Sequence, residues 1–148
     1  MLQVITKSFS ELTTNELYAI LQLRSEVFVV EQDCVYQDVD GKDQKALHVI
    51  GVKNNKIIAY TRIFKPGDYF TKASIGRVVV AKKEREFGYG HVIIKHSIKA
   101  IKKYFNETSI KISAQTYLKK FYESHGFLKI GEEYLEDGIP HIGMLKNQ

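Results

Sequence analysis

Val78-Val79-Val80-Ala81-Lys82-Lys83-Glu84-Arg85-Glu86-Phe87-Gly88-Tyr89-Gly90 is the most informative stretch of this 148-residue sequence. Its β-branched start reads as the end of a largely buried strand. A charged, glycine-punctuated loop follows, and from Tyr89 the apolar spacing becomes helical. Gly88 and Gly90 permit close backbone approach and unusual dihedrals. The first N–H groups of a helix have no intrahelical partners, and with the helix dipole they form an anion site. Arg85 can add a charge-assisted contact. A pyrophosphate is the natural ligand. A dinucleotide fingerprint needs G-x-G-x-x-G, and only G-x-G is present; the P-loop pattern is absent. What remains is R-x-x-G-x-G between a strand and a helix.

Working outward, the spacing predicts a helix over 89–105. Ile94, Ile98, Ile101 and Phe105 form its apolar face, and Lys95, Lys99 and Lys103 its polar one. Ser74–Ala81 reads as a central strand. Leu47–Val52 and Ile57–Phe64 flank the turn Lys53-Asn54-Asn55-Lys56 as a hairpin. Upstream, Leu2–Phe9 reads as a strand, Thr14–Val30 as a helix with capping residues before it, and Glu31–Lys45 as a polar loop. Downstream, Thr108–Ala114 alternates as a strand. Tyr117–Ser124 is a short helix that Gly126 ends. Phe127–Glu133 and Ile139–Leu145 are closing strands. This order predicts an α+β, layered α/β domain.

Length and composition suit one domain over 1–148, and 44% hydrophobic with 26% charged residues argues against a disordered chain. The net charge of +5 comes from 22 basic and 17 acidic residues, so polyanionic partners are favoured. Only Arg24, Arg62, Arg77 and Arg85 are arginines. One cysteine, Cys34, excludes a disulfide framework and a cysteine-based zinc site. There is no apolar run of membrane length and no signal-like start, so a cytoplasmic protein is expected. Asp38-Val39-Asp40-Gly41-Lys42-Asp43 is not an EF-hand. Aligning Gly41 with the invariant glycine places Tyr36 first and Leu47 twelfth, where acids are required. No metal is expected. Those acids shape a loop or attract a cationic amine, as Glu132, Glu133, Glu136 and Asp137 could. The lysine stripe reads as a solvated face, and no nucleic acid or membrane partner is expected.

A second motif stands downstream of the glycine loop: Phe121-Tyr122-Glu123-Ser124-His125-Gly126-Phe127. With R-x-x-G-x-G it resembles the GNAT superfamily of acyltransferases, whose coenzyme A loop and F-Y-x-x-x-G-F signature occur in this order. Further segments resemble the ElaA-type subgroup: Phe28-Val29-Val30-Glu31-Gln32, Tyr36-Gln37-Asp38-Val39-Asp40-Gly41, Ile75-Gly76-Arg77-Val78, Ala114-Gln115 and Glu136-Asp137-Gly138-Ile139-Pro140-His141-Ile142-Gly143-Met144. The resemblance runs from about Leu12 to Met144. It implies a mixed, mostly antiparallel sheet of about six or seven strands flanked by helices.

It also implies an acetyl-CoA-dependent N-acetyltransferase that acts on a small-molecule or peptide amine by direct attack on the thioester. The alternative is a CoA-binding sensor or interaction module that has lost transfer. The thioester would lie along Arg77–Ala81, splayed from the strand around Ser113, with Val78, Val79 and Val80 along the pantetheine arm. Arg85, Glu86, Phe87, Gly88, Tyr89 and Gly90 would hold the pyrophosphate, with Gln115 near the cofactor. Tyr122 occupies the family's general-acid position. A phenol with pKa about 10 and a thiol with pKa about 8.5 make that transfer uphill by only ~2 kcal/mol. For the base, Glu31 and His141 are both candidates. Histidine as a residue type suits a base near neutrality, although a lone histidine on a strand is more often structural, and Glu31 could instead cap the helix or pair with a nearby base such as Arg24. An exposed closing strand at Ile139–Leu145 could support a homodimer.

Overall fold

A computed structural model describes residues 1–147. Ten main elements follow one another: β1 (Gln3–Ser8), α1 (Thr14–Arg24), β2 (Leu47–Lys53), β3 (Lys56–Phe64), β4 (Ala73–Val80), α2 (Tyr89–Phe105), β5 (Ile110–Gln115), α3 (Lys119–Glu123), β6 (Leu128–Glu136) and β7 (Ile139–Lys146). The strands form one seven-stranded sheet in the order β1-β2-β3-β4-β5-β7-β6. Every neighbouring pair is antiparallel except β4–β5. A parallel pair needs a crossover connection, and α2 supplies it. The expected fold class and strand number are those observed.

Strand periodicity places the two long helices on opposite faces. Val49, Ala59 and Ile63 join α2 in one core, with Ile75, Ile110, Ile112, Phe127 and Met144. The intervening Ile50 and Tyr60 meet Ile20 and Leu23 of α1 in a second core, with Val27, Phe28 and Val79. Helix α2 spans the predicted residues, but its most buried positions are Ile93, Ile94, Ser97, Ala100 and Ile101. Ile98 and Phe105 are only partly buried at the margin. Buried Ser97 is satisfied by the Thr61 hydroxyl (2.6 Å) and the Ile93 carbonyl (2.7 Å), which is how a polar residue sits on that face.

Two local expectations change. The helix predicted to run to Val30 is α-helical only to Arg24, then widens into a π-helical turn over Ser25–Glu31. The N–H groups of Gln32 and Cys34 bond to the carbonyls of Val27 and Val29, five residues back. The extra residue per turn keeps Val27 and Phe28 buried and leaves Val30 exposed. The second change concerns the closing strands. β7 is interior, hydrogen-bonded to β5 and β6, with Ile142 and Met144 buried. β6 is the edge, so any second copy pairing with this end of the sheet would meet β6 and not 139–145.

The acidic loop is an internal brace. Arg24 donates to Asp38 (2.9 Å) and Asp43 (2.8 Å). Arg62 donates to Asp40 (2.7 Å) and Asp43 (2.9 Å). Arg77 lies 2.8 Å from the other oxygen of Asp38. Arg24 and Arg62 are almost fully buried. These carboxylates are therefore committed to arginines and do not form an amine-attracting mouth. Together they tie the 32–45 loop to α1, β3 and β4.

Candidate active site

The site originates in a defect of the sheet. β4 pairs with β5 only at Ala73–Ile110 and Ser74–Lys111, and beyond that the strands part. On its other side β4 carries a bulge. Tyr60 pairs with Val79 and Arg62 with Gly76, so Arg77 and Val78 together oppose Thr61. Arg77 takes φ of 51°, a left-handed conformation uncommon for a side-chain-bearing residue. Its guanidinium is anchored to the Asp38 carboxylate and carbonyl, contacts that hold it there. A bulge re-aims strand groups that regular pairing would consume. A cavity opens between Gly76, Arg77 and Val78 on one side and Ser113 and Gln115 on the other.

Of the residues expected along the pantetheine arm, Val78 lines this cavity. Val79 points the other way, into the α1 core, as strand alternation requires. Val80 ends β4, and its carbonyl accepts from Arg85 Nε at 3.1 Å. Gln115 lines the cavity and exchanges long contacts of 3.4 Å with Gln32.

Residues Lys82–Phe87 form a 3-10 turn ahead of α2. Gly88 has φ of 73°. A Cβ there would have space but not a comfortable backbone, so the reason for glycine is conformational. Gly90 is within the helix, and a Cβ on it would touch the Phe121 ring at 3.5 Å, an ordinary contact. Nothing inside the fold demands glycine at 90. Glu86 and Phe87 are exposed and Tyr89 half-buried. The Lys53 ammonium lies over the Phe87 and Tyr89 rings at 4.3 and 5.3 Å.

Arg85 and Glu31 meet. The guanidinium forks onto the carboxylate at 2.5 and 2.7 Å. This ion pair holds the Glu31 carboxyl below the usual carboxylate range, against a smaller opposing effect of burial. Glu31 thus does not pair with Arg24, whose guanidinium is taken by Asp38 and Asp43. It also stands outside the lining of the cavity that holds the other two candidates. A carboxylate already neutralised by an arginine is a weak proton acceptor.

Tyr122 and His141 do share the cavity. Tyr122 is 5% exposed and sits edge-on to Phe121 and Phe127. Burial pushes its phenol above the ordinary value. His141 is 7% exposed. Its Nδ1 is 2.7 Å from the Ile139 carbonyl. A carbonyl only accepts, so the network assigns the proton to Nδ1 and leaves a lone pair on Nε2 in the neutral ring.

Ser113, Glu136 and Cys34, read from sequence as a strand position, one of four acids that could attract an amine and a lone thiol, all line this cavity. Ser113 Oγ contacts the Tyr134 hydroxyl and donates to Glu136 at 3.1 Å. Glu136 Oε2 lies 3.5 Å from His141 Nε2. Cys34 is buried, donates to the Asp137 carbonyl at 3.3 Å and walls the same cavity. Strand alternation could have grouped Tyr134 with Glu136. The Asp137-Gly138 turn between β6 and β7 is a hairpin signal that sets the two strands side by side, and the register then places Tyr134 opposite His141.

The comparisons with known proteins agree with this geometry. Residues 10–148 match the family model described as acetyltransferase (GNAT) domain. Protein ElaA of Escherichia coli is 42% identical over 139 residues, 93% of this chain and 91% of that protein. The crystal structure of E. coli ElaA superposes with a TM-score of 0.92, covering 99% of this chain and 100% of that one. An acyl-CoA N-acyltransferase from Pseudomonas aeruginosa superposes at 0.93 with 40% identity, covering 99% of each chain. A GNAT acetyltransferase from Elizabethkingia anophelis, solved with acetyl-CoA bound, shares the fold at 0.66 and 17% identity, over 99% of this chain and 98% of that one. By sequence and by architecture, then, this chain belongs to the GNAT acetyltransferases and to their ElaA-type subgroup.

Proposed function

We propose that the protein is a single-domain N-acetyltransferase that moves the acetyl group of acetyl-CoA to a primary amine by direct attack. The observation that carries this is the coincidence, in one cavity at the β4–β5 splay, of a buried phenol and an imidazole with a free Nε2. Acetyl-CoA supplies the electrophilic thioester carbonyl. The backbone of Val78–Val80 lies along the opened edge of β4 and is suited to the pantetheine arm. The unpartnered N–H groups at the start of α2, beyond Gly88, are suited to the pyrophosphate. Because Arg85 is forked onto Glu31, it acts as a brace of this loop, and Glu31 serves it there instead of working as the base.

His141 Nε2 accepts the proton that an ammonium must lose before its nitrogen can attack. As the C–N bond forms and the C–S bond breaks, Tyr122 gives its proton to the departing sulfur, and the proton that the attacking nitrogen sheds in becoming an amide restores the phenol. Its raised pKa keeps the phenol protonated throughout the neutral range, the correct state for a donor. The same burial makes donation more uphill than the roughly 2 kcal/mol of an untuned pair, so the proton must move in concert with C–S cleavage.

Acetyl-CoA at about 100 times its dissociation constant is expected to stabilise the fold by roughly 2.7 kcal/mol. That appears as a rise of several degrees in melting temperature. CoA alone should give a smaller or similar rise. Absence of any shift with both ligands would refute the cofactor assignment. Binding without thiol release, across a panel of alkylamines, polyamines and peptide N-termini, would favour a CoA-binding module over an enzyme.

A further inference from the structure

We propose that Glu136 is the acceptor-docking residue, and that the acceptor arrives as a cationic ammonium held between Glu136 Oε2 and His141 Nε2. This rests on the transfer reading above. The two atoms are 3.5 Å apart, too far for a good hydrogen bond with each other. Each nevertheless faces the cavity with acceptor capacity to spare. Both are otherwise fixed. Glu136 Oε1 accepts from Ser113 at 3.1 Å, and Ser113 is itself joined to the Tyr134 hydroxyl. His141 Nδ1 is tied to the Ile139 carbonyl at 2.7 Å. The Tyr134 ring stacks beside the imidazole, 25° from parallel. The network thus pre-positions one anionic oxygen and one neutral ring nitrogen around a shared point.

An ammonium has three N–H donors and no acceptor. It satisfies both atoms at once and keeps one N–H to spare. A hydroxyl has one hydrogen and satisfies only one of them. The His141 side chain is buried, whereas the Glu136 side chain is 47% exposed. The carboxylate therefore stands at the entrance and the imidazole behind it. The acceptor ammonium gives one proton to Nε2, producing a neutral amine and an imidazolium. The imidazolium is stabilised by the adjacent carboxylate, and no net charge is created in the cavity. Glu136 differs in this from Asp38, Asp40 and Asp43, whose charges are neutralised internally by arginines. Among the described residues it has no Lys or Arg partner within salt-bridge distance.

The test uses the full-length chain at saturating acetyl-CoA and about pH 7, with n-butylamine and aniline as acceptors. An alkylamine is charged there, as a lysine side chain is, and aniline is neutral. Glu136→Gln is expected to raise KM for n-butylamine by about 10-fold or more, the loss of a hydrogen bond to a charged group. KM for aniline should stay within about 2-fold of the natural chain, and Glu136→Asp should recover much of the n-butylamine affinity. A similar loss for both amines would make Glu136 a buttress of the site and overturn its docking role. Failure of the natural chain to acetylate either amine would overturn the transfer reading, and this proposal with it. Melting curves of both variants separate a folding defect from a binding one, since a folding defect would depress both amines equally.

Discussion

Tyr122→Phe is expected to bind acetyl-CoA like the natural chain and to turn over about 100-fold more slowly or worse, the range of a positioned general acid. The substitution removes one oxygen and keeps the ring. Packing against Phe121 and Phe127 is retained, and the melting temperature should barely move. The measurement is kcat for thiol release together with the thermal shift produced by acetyl-CoA. Equal loss of binding and turnover, or a fall in kcat of less than about 3-fold, would leave Tyr122 as a packing aromatic. The distinction is sharp because the residue is buried. An exposed tyrosine could be replaced by water, whereas Tyr122 is only 5% exposed.

Asp43→Ala is expected to destabilise the fold by about 3–5 kcal/mol, because it strips two buried guanidinium groups of a shared carboxylate. In a chain this size that corresponds to roughly 10 °C or more in melting temperature. Asp43 accepts from Arg24 at 2.8 Å and from Arg62 at 2.9 Å. Replacing Glu132, exposed on the edge strand, should cost no more than about 0.5 kcal/mol. A comparably small effect of Asp43→Ala would show that the brace contributes little.

The same network sets the acid limit of the fold. Burial by itself would raise the Asp43 and Asp40 carboxyls, but their arginine partners outweigh it and hold both below the usual carboxylate range. A carboxyl depressed in the folded state stabilises the fold fully above its unfolded value, about 3.9. That contribution is lost as pH falls from there through the lower folded value. The network's contribution to the unfolding free energy should therefore be constant near neutrality and drop progressively below about pH 4. Urea midpoints measured down that range check it. A midpoint independent of pH between about 5 and 3 would contradict the coupling.

Much of the architecture was legible because it rests on local rules. The β-branched run at Val78–Val80, the helical spacing from Tyr89 and the turn at Asn54–Asn55 each obey a period or a turn preference that neighbouring residues settle among themselves. The places where local reading failed involve choices made by distant partners. The helix from Thr14 has no breaker before Gln32, yet it widens after Arg24, where the chain must bury Val27 and Phe28 while Arg24 reaches the loop acids. Strand β7 looked like an edge because it comes last in the chain. The sheet instead inserts it between β5 and β6, which protects Ile142 and Met144 and leaves β6 outside.

By itself the sequence determined the strand–loop–helix around Gly88, the long α2, the candidate aromatic acid at Tyr122 and the membership that these imply. All of these depend on residues close together in the chain. Only the tertiary structure decided the pairing of charges and the setting of the cavity. Four arginines and a scatter of acids admit many pairings, and which ones form depends on approach across 14 to 54 positions of chain. That is why Arg85 is joined to Glu31 and why Asp38, Asp40 and Asp43 are consumed as a brace. A charge's partner is settled by distance and dielectric, and both are properties of the folded molecule.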